Sequence, residues 1–282
     1  MATSTGTLFV VGTPIGNLED LSDRARRVLA SVDLIAAEDT RRTGRLLKAI
    51  GIAGPRLLSL HDSNERARVP EVLSRLEAGA NVALTSDGGM PLVSDPGYRL
   101  VRAVADRGIE IAVVPGPSAV VAALAVAGLP TDRWAFEGFL PKRAGDRRRR
   151  LEAVAHDERT LVFFESPLRV RAMLTDLAAV LGDRPAALCR ELTKLHEEVL
   201  RGSASSILES LGTEDPRGEV VLVVAGATAV TGDLDAAVEV ARHSIADGDR
   251  PREASRAAAE RFGVSANAVY RALLGGADAT HG

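Results

Sequence analysis

The stretch NVALTSDGGMPLVSDPG runs from Asn81 to Gly97. Its opening residues, NVALTS, centred on the apolar Val82, Ala83 and Leu84, read as a buried strand, and YRLVRAVADRG beyond it has the apolar spacing of a helix. Between them lies a loop of glycine and proline framed by the pairs Ser86-Asp87 and Ser94-Asp95. A buried strand, a loop and a covering helix make up the repeating unit of a parallel sheet with helices on both faces. The unit recurs. TLFVVG is followed by LSDRARRVLASVD with Ser22 as N-cap, and DLIAAE by a helix from Thr40 to a stop at Gly51. PRLLSL is followed by NERARVPEVLSRLEAG, and IEIAVVPG closes the series. The fold class is therefore α/β.

Sheets of this kind bind ligands beyond the carboxyl ends of their strands. The loops that fall there are GTPIGN, EDTRRT, HDSNE, SDGGMP and PGPSA. GTPIGN matches neither the dinucleotide fingerprint nor the P-loop with its Gly-Lys-Ser/Thr, which disfavours a dinucleotide fold and a nucleoside triphosphatase. The chain has no His-Glu-x-x-His or clustered His/Cys spacing, so no metal site is expected. A hydrolase triad is unsupported, because no Gly-x-Ser-x-Gly elbow is present. Asp95, before Pro96 and Gly97, is expected to cap the next helix with proline at its first position. Asp87 has no such structural role, and Gly88 and Gly89 beside it would let a ligand touch backbone.

After Gly116 the pattern changes. PSAVVAALAVAG reads as a small-residue helix, and closely spaced strands, some antiparallel, indicate an α+β second domain from about Pro117 to Gly226. From Val230 onward the chain reads as helices, with Gly248 and Gly263 as stops and Pro251 and Ser265 near starts. The last two helices resemble a helix-turn-helix pair, or else form a packing or dimerisation appendage.

With 46% hydrophobic and 26% charged residues, the chain can bury a full core, although 3% aromatics leaves most of it to Ala, Val and Leu. A lone cysteine, Cys189, rules out an intramolecular disulfide and suits a reducing cytosol. MATSTGTLFVVG lacks a basic n-region and no run approaches membrane-spanning length, so a cytoplasmic enzyme or binding protein is expected. A net charge of −3 argues against a nucleic-acid binder using its whole surface. Two local clusters stand against that total: TRRTGRLLK, with Arg41, Arg42, Arg45 and Lys48, and FLPKRAGDRRRR, with Lys142, Arg143 and Arg147 to Arg150. Each is either a solvated helix face or an anion contact.

Taken together the motifs are more specific. GTPIGNLEDLS, EDTRRT, SDGGMPLVSDPG, VPGPSA, EGFLP, FFESPLR, ELTKLHEE and GEVVLVV succeed one another between about Leu8 and Val224. In order and approximate spacing they resemble the ribosomal RNA small subunit methyltransferase I family, within the tetrapyrrole-methylase-like superfamily. The resemblance implies a two-domain class III methyltransferase. An N-terminal α/β domain over residues 1–116 has a mostly parallel sheet. A second domain over 117–226, with a mixed sheet, completes a cofactor cleft, and a helical extension over 227–282 is a candidate RNA contact. It further implies S-adenosylmethionine as methyl donor, the ribose 2′-hydroxyl of a cytidine in the decoding region of 16S rRNA as acceptor, and a homodimer acting on 16S rRNA or the small ribosomal subunit.

Carried over residue by residue, the donor site comprises Pro14, Ser86, Asp87, Gly88, Gly89, Met90, Pro91, Ser118, Ala119, Phe164 and Glu165, with Leu192, Ala225 and Gly226 on the adenine side. The family pattern SDAGTP reads SDGGMP here, so Met90 replaces a threonine hydroxyl. Methyl transfer from a sulfonium depends mainly on positioning, and a base can assist the poorly nucleophilic hydroxyl. The candidates are Asp39, His61, Asp62 and Glu65. Arg41, Arg42, Lys142, Arg143, Arg147 and Arg148 are the candidate RNA contacts, although Arg41 and Arg42 could instead pair with Glu38 or Asp39. The alternatives are a methylase of a small tetrapyrrole-like substrate and a non-catalytic RNA binder.

Overall fold

A computed structural model describes residues 5–212, 216–227 and 233–275. The two ends of the expected helical extension, 228–232 and 276–282, therefore lie outside the described residues. The chain divides into two compact units, Met1–Gly226 and Ala227–Gly282.

The first unit opens with β1 (Leu8–Val11), α1 (Asp23–Ser31), β2 (Leu34–Ala37), α2 (Thr40–Ala49) and β3 (Arg56–Ser59). It continues with α3 (Glu65–Glu77), β4 (Val82–Thr85), α4 (Tyr98–Ala105) and β5 (Ile111–Val114). The strands form one sheet in the order β3-β2-β4-β1-β5, and every pairing is parallel. Alternate side chains go to opposite faces. Leu8, Leu34, Ala36, Val82 and Leu84 pack against α3 and α4, whereas Val11, Ile35, Ala37 and Ala83 pack against α1 and α2. Both faces being covered is why β2 and β4 are buried throughout.

This arrangement places the site. β4 lies between β2 and β1, and its loop leaves for the face opposite to the one their loops take. Where neighbouring connections diverge in this way, a crevice opens at the carboxyl ends. The Ser86–Gly97 loop emerges there.

The unit goes on through α5 (Ala119–Ala127), β6 (Trp134–Phe139), α6 (Ala144–Ala153), β7 (Thr160–Glu165) and α7 (Pro167–Leu181). It ends with β8 (Pro185–Arg190), β9 (Glu198–Ser203), α8 (Ala204–Ser210) and β10 (Val220–Val224). These strands form a second sheet, β6-β7-β10-β8-β9, parallel between β6 and β7 and antiparallel elsewhere. One face packs Leu161, Phe163 and Leu222 against α6, α7 and α8. The other packs Val162, Cys189, Val221 and Val223 against α5. Ile15 and Val93, from loops of the first sheet, join this α5 layer and tie the two sheets together.

The second unit contains α9 (Leu234–Ala246), α10 (Pro251–Phe262) and α11 (Ala266–Gly275), packed around Ala237, Ala241, Ala258 and Val269. Pro251 opens α10, and Gly263 closes it in the left-handed conformation at φ 62°. Among the described residues no helix is long and apolar enough to cross a membrane.

One buried ion pair joins α6 to α7. Arg147, 6% exposed, reaches Asp176 through Nε at 2.7 Å and Nη2 at 2.6 Å, and Arg148 Nε donates to the other carboxylate oxygen at 2.7 Å. Removing one partner strands a desolvated charge. Asp176→Ala is expected to lower the unfolding free energy by about 3–5 kcal/mol, whereas Arg147→Met with Asp176→Leu should recover most of that loss. Urea unfolding monitored by circular dichroism measures both. A loss below about 1 kcal/mol for Asp176→Ala would mean that the pair is not desolvated in solution.

Candidate functional site

The loop after β4 is bonded to the loops on either side of it. Toward β1, Thr13 N–H donates to Gly89 O at 2.9 Å, Gly89 N–H donates to Thr13 O at 3.0 Å, and Thr13 Oγ1 donates to Ser86 O at 3.3 Å. Toward β2, Asp87 N–H donates to Glu38 Oε2 at 3.2 Å, and Asp39 N–H donates to Asp87 Oδ1 at 3.1 Å. GTPIGN, EDTRRT and SDGGMP are thus one hydrogen-bonded assembly. Its glycines are needed for close approach. A Cβ on Gly12 would lie 2.7 Å from Gly116 Cα and 2.8 Å from Met90 Sδ. Gly89 has φ 88°, and a Cβ there would press within 3.2 Å of Ile15 Cγ2.

Carboxylates gather around this assembly, each in a different condition. Asp39 caps α2, accepting from Arg41 N–H at 2.7 Å and Arg42 N–H at 3.4 Å, and those bonds hold its carboxyl below the usual range. Burial pushes Glu38 upward, opposed by the Asp87 N–H and reinforced by the Asp87 and Asp62 carboxylates. Burial also raises Asp87, against the pull of Arg42, whose Nη1 lies 3.4 Å from its carboxylate.

Asp95 corrects the expectation placed on it. The helix begins at Tyr98 with Gly97, at φ 124°, in the capping position, so neither Asp95 nor Pro96 has the predicted role. Leu92 (φ 75°) and Ser94 (φ 65°) are both left-handed, and they turn the chain before the helix can start. Asp95 instead stands half-buried near Ser86, Glu38 and Asp87. Its carboxyl is pushed up to about 6, chiefly by burial and then by the Glu38 charge. The signal that could have revealed this was Gly97, which can take the left-handed cap position that Asp95 would otherwise hold.

The cap of α4 comes from elsewhere. Glu65, 3% exposed, accepts from Arg99 N–H at 2.8 Å and Leu100 N–H at 3.1 Å. A carboxylate committed in this way at a helix N-terminus is a structural group, which corrects its reading as a base. His61 is also committed, with Nδ1 2.8 Å from Ser63 Oγ and Nε2 3.1 Å from Asn64 Nδ2. Asp62 is exposed.

The expected donor residues separate into those brought together and those not. Pro14, Ser86 to Pro91, Ser118 and Ala119 belong to the crevice loops and to the first turn of α5. Gly88 is exposed, and Ser118 makes no side-chain cap, so the first N–H groups of α5 have no capping side chain. Phe164 faces α5, with Phe136 at 4.8 Å and Phe139 at 5.6 Å between ring centroids. Leu192 packs in the same layer, between the left-handed residues Glu191 and Thr193. Glu165, one residue on from Phe164, points to the opposite face and pairs with Arg169, Nε donating at 2.6 Å. Ala225 and Gly226 lie at the far end of the sheet. β10 runs antiparallel to β7 with Val221 opposite Phe164 and Val224 opposite Leu161, which puts Ala225 roughly 13 Å along the strand from Phe164.

The arginine-rich segment is largely self-neutralised. Arg147 is buried on Asp176, Arg148 shares that carboxylate, Arg149 pairs with Asp146, and Arg150 pairs with Glu137. Arg147 is therefore a structural cation and not a phosphate contact. Lys142 and Arg143 are exposed, as are Arg41, 89% exposed beside Asp39, and Arg42 beside Asp87.

The polar groups left over suit a small polar ligand with a cationic centre. Thr85 Oγ1 and Thr193 Oγ1 are buried without a partner among the described residues, and a Cβ on Gly16 would come within 2.8 Å of that Thr193 hydroxyl. Glu38 and Asp87 supply negative charge beside the bare backbone of Gly88.

Comparison with known proteins agrees with this architecture. A profile of the tetrapyrrole (corrin/porphyrin) methylases matches residues 7–208. The ribosomal RNA small subunit methyltransferase I of Escherichia coli O157:H7 is 45% identical over 275 residues, covering 96% of each chain. The protein of that name from Thermotoga maritima is 48% identical over 221 residues, covering 78% of this chain and 99% of its own. Among solved structures, the methyltransferase CobJ superposes with a TM-score of 0.60 at 22% identity, covering 79% of this chain and 95% of its own. The uroporphyrin-III-C-methyltransferase of Thermus thermophilus gives 0.56 at 23%, covering 77% and 94%. A parallel sheet whose β4 loop is locked between its neighbours, followed by a mixed sheet and matched over 96% of the chain by the Escherichia coli relative, places the chain in the tetrapyrrole methylase family, among its ribosomal RNA small subunit methyltransferase I members.

Proposed function

We propose that the protein transfers a methyl group from S-adenosylmethionine to the ribose 2′-hydroxyl of a cytidine in the decoding region of 16S rRNA. The observation that carries the reading is the 45% identity across 96% of both chains with an enzyme named for this class of substrate. The donor contributes a methyl group on a positively charged sulfur. Pro14, the Ser86–Pro91 backbone, Ser118, Ala119, Phe164 and Leu192 are the residues assigned to hold it. The Glu38 and Asp87 carboxylates offset the sulfonium charge, and the small residues allow close approach. Glu165, Ala225 and Gly226 contribute through the packing of the second sheet.

Arg41, Arg42, Lys142 and Arg143 hold RNA phosphates, which positions the strand without reading its sequence. The protein acts in the cytoplasm on 16S rRNA or the small subunit. Val113 on edge strand β5 and Val121 on α5, 55% and 57% exposed, support pairing with a second copy of the chain.

Calorimetric titration with S-adenosylmethionine and mass spectrometry of 16S rRNA from a deletion strain test the reading. Donor binding and loss of one 2′-O-methyl cytidine are expected; a chain that binds no donor, or an unchanged rRNA, would contradict it. Neutralising Arg41 and Arg42 together should reduce the slope of log affinity for RNA against log salt by about 1.4, near 0.7 per single-strand phosphate. An unaltered slope would return both to the solvated surface. Glu65→Gln keeps an acceptor oxygen for the α4 cap but loses its charge. It should cost about 1–3 kcal/mol of stability and leave methyl transfer within about threefold. A hundredfold slower transfer at unchanged stability would make Glu65 catalytic after all.

A further inference from the structure

We propose that the Asp95 carboxylate accepts the proton of the ribose 2′-hydroxyl during methyl transfer, an assignment that rests on the function proposed above. As the O–CH3 bond forms and the S–CH3 bond breaks, the S–CH3 electron pair stays with the departing sulfur, which becomes neutral. The hydroxyl proton passes to an Asp95 oxygen and from there to solvent.

Elimination supports the choice. Asp39 is held by the first N–H groups of α2, and Glu65 by those of α4. Glu38 accepts from Asp87 N–H, while Asp87 accepts from Asp39 N–H and faces Arg42. Both ring nitrogens of His61 are engaged. Asp95 has no backbone N–H or cationic partner among the described residues; the Ser86 hydroxyl beside it donates to Gly89 O at 3.4 Å. A carboxylate without such partners keeps its lone pairs for a proton.

Position supports it as well. The left-handed turns at Leu92 and Ser94 carry the chain from the β4 end toward the second sheet, where Val93 enters the α5 layer. Ser94 Oγ lies 3.4 Å from the position a Cβ on Gly138 in β6 would occupy. Asp95, the next residue, is half-buried where the donor-binding loop meets β6. The charges around it are Glu38 after β2, Asp62 after β3 and Asp87 after β4, with Arg42 behind Asp87. Burial first, and then the three carboxylates, favour the protonated form, so the ionised carboxylate is more basic than an ordinary aspartate yet still deprotonated at neutral pH. That is the condition in which a base is most effective.

The test compares the unaltered protein with Asp95→Asn on small ribosomal subunits that lack the modification. Single-turnover methyl transfer is followed from pH 5 to 9, and donor affinity is measured by calorimetry. For the unaltered protein the rate should rise with unit slope to a bend near pH 6. Asp95→Asn should slow transfer on the order of 10²- to 10⁴-fold, lose the bend, and bind donor within about threefold of normal. A rate within about threefold of normal, a bend that persists in the variant, or a parallel loss of donor affinity would each overturn the assignment. The last outcome would make Asp95 a donor-binding residue.

A readout without donor or RNA keeps the two proposals distinguishable. The native carboxyl holds its proton more tightly than the unfolded one, so Asp95 costs stability as pH rises from about 4 to about 6. Asp95→Asn should become progressively more stable relative to the unaltered protein across that range. Matching stability profiles would overturn the assignment even if methylation is confirmed. An unaltered protein inactive on the subunit, with the divergence present, would count against the proposed substrate.

Discussion

The site depends on how the loop after β4 is held. Thr13 and Gly89 exchange backbone hydrogen bonds on one side, and Asp87 exchanges bonds with Glu38 and Asp39 on the other. Because β4 lies between β2 and β1 while its helix crosses to the opposite face, its loop spans the gap between theirs. A free loop at a switch point would have to be ordered by its ligand, at the conformational cost of every residue fixed. Here that cost is met during folding. The glycines at 12, 89 and 116 are the steric consequence, since backbones approach where a Cβ would collide.

The same bonds sort the acidic groups by function. Asp39 at the N-terminus of α2 is stabilised as an anion and loses its value as a proton acceptor, and Glu65 spends a carboxylate oxygen on the first N–H groups of α4. Asp95, displaced from its helix by two left-handed residues, escapes that fate. Crowding by Glu38 and Asp87 is therefore a product of the locked loop, and it couples a cation-friendly crevice to a carboxylate of raised basicity.

Much of this was legible in the chain itself. The strand and helix runs before Gly116 came out in order because period and turn residues agree there, as with Ser22 capping α1 and Gly51 following α2. GTPIGN, EDTRRT and SDGGMP declared themselves by lying after strands. Three features were hidden because they are set by distant contacts. The α4 cap comes from Glu65, some thirty residues upstream and separated by a strand. The density of arginine in FLPKRAGDRRRR suggested an anion-binding face, but Asp176 on α7 and Glu137 on β6 take up much of that charge. Ala225 and Gly226 lie next to a strand that contacts the cleft at its other end, and antiparallel register cannot be read from one strand alone.

The central claim is that the locked β4 loop, the first turn of α5 and the Phe164 wall form one pocket for the methyl donor. A crystal structure with S-adenosylhomocysteine bound tests it most directly. The account predicts backbone contacts to Ser86–Pro91 and to Ser118 and Ala119, with the ligand beside Phe164 and Leu192 and its sulfur near the carboxylates at the end of β4. A ligand bound away from that loop, or one reached only after the Thr13–Gly89 and Asp87–Glu38 bonds had broken, would contradict it.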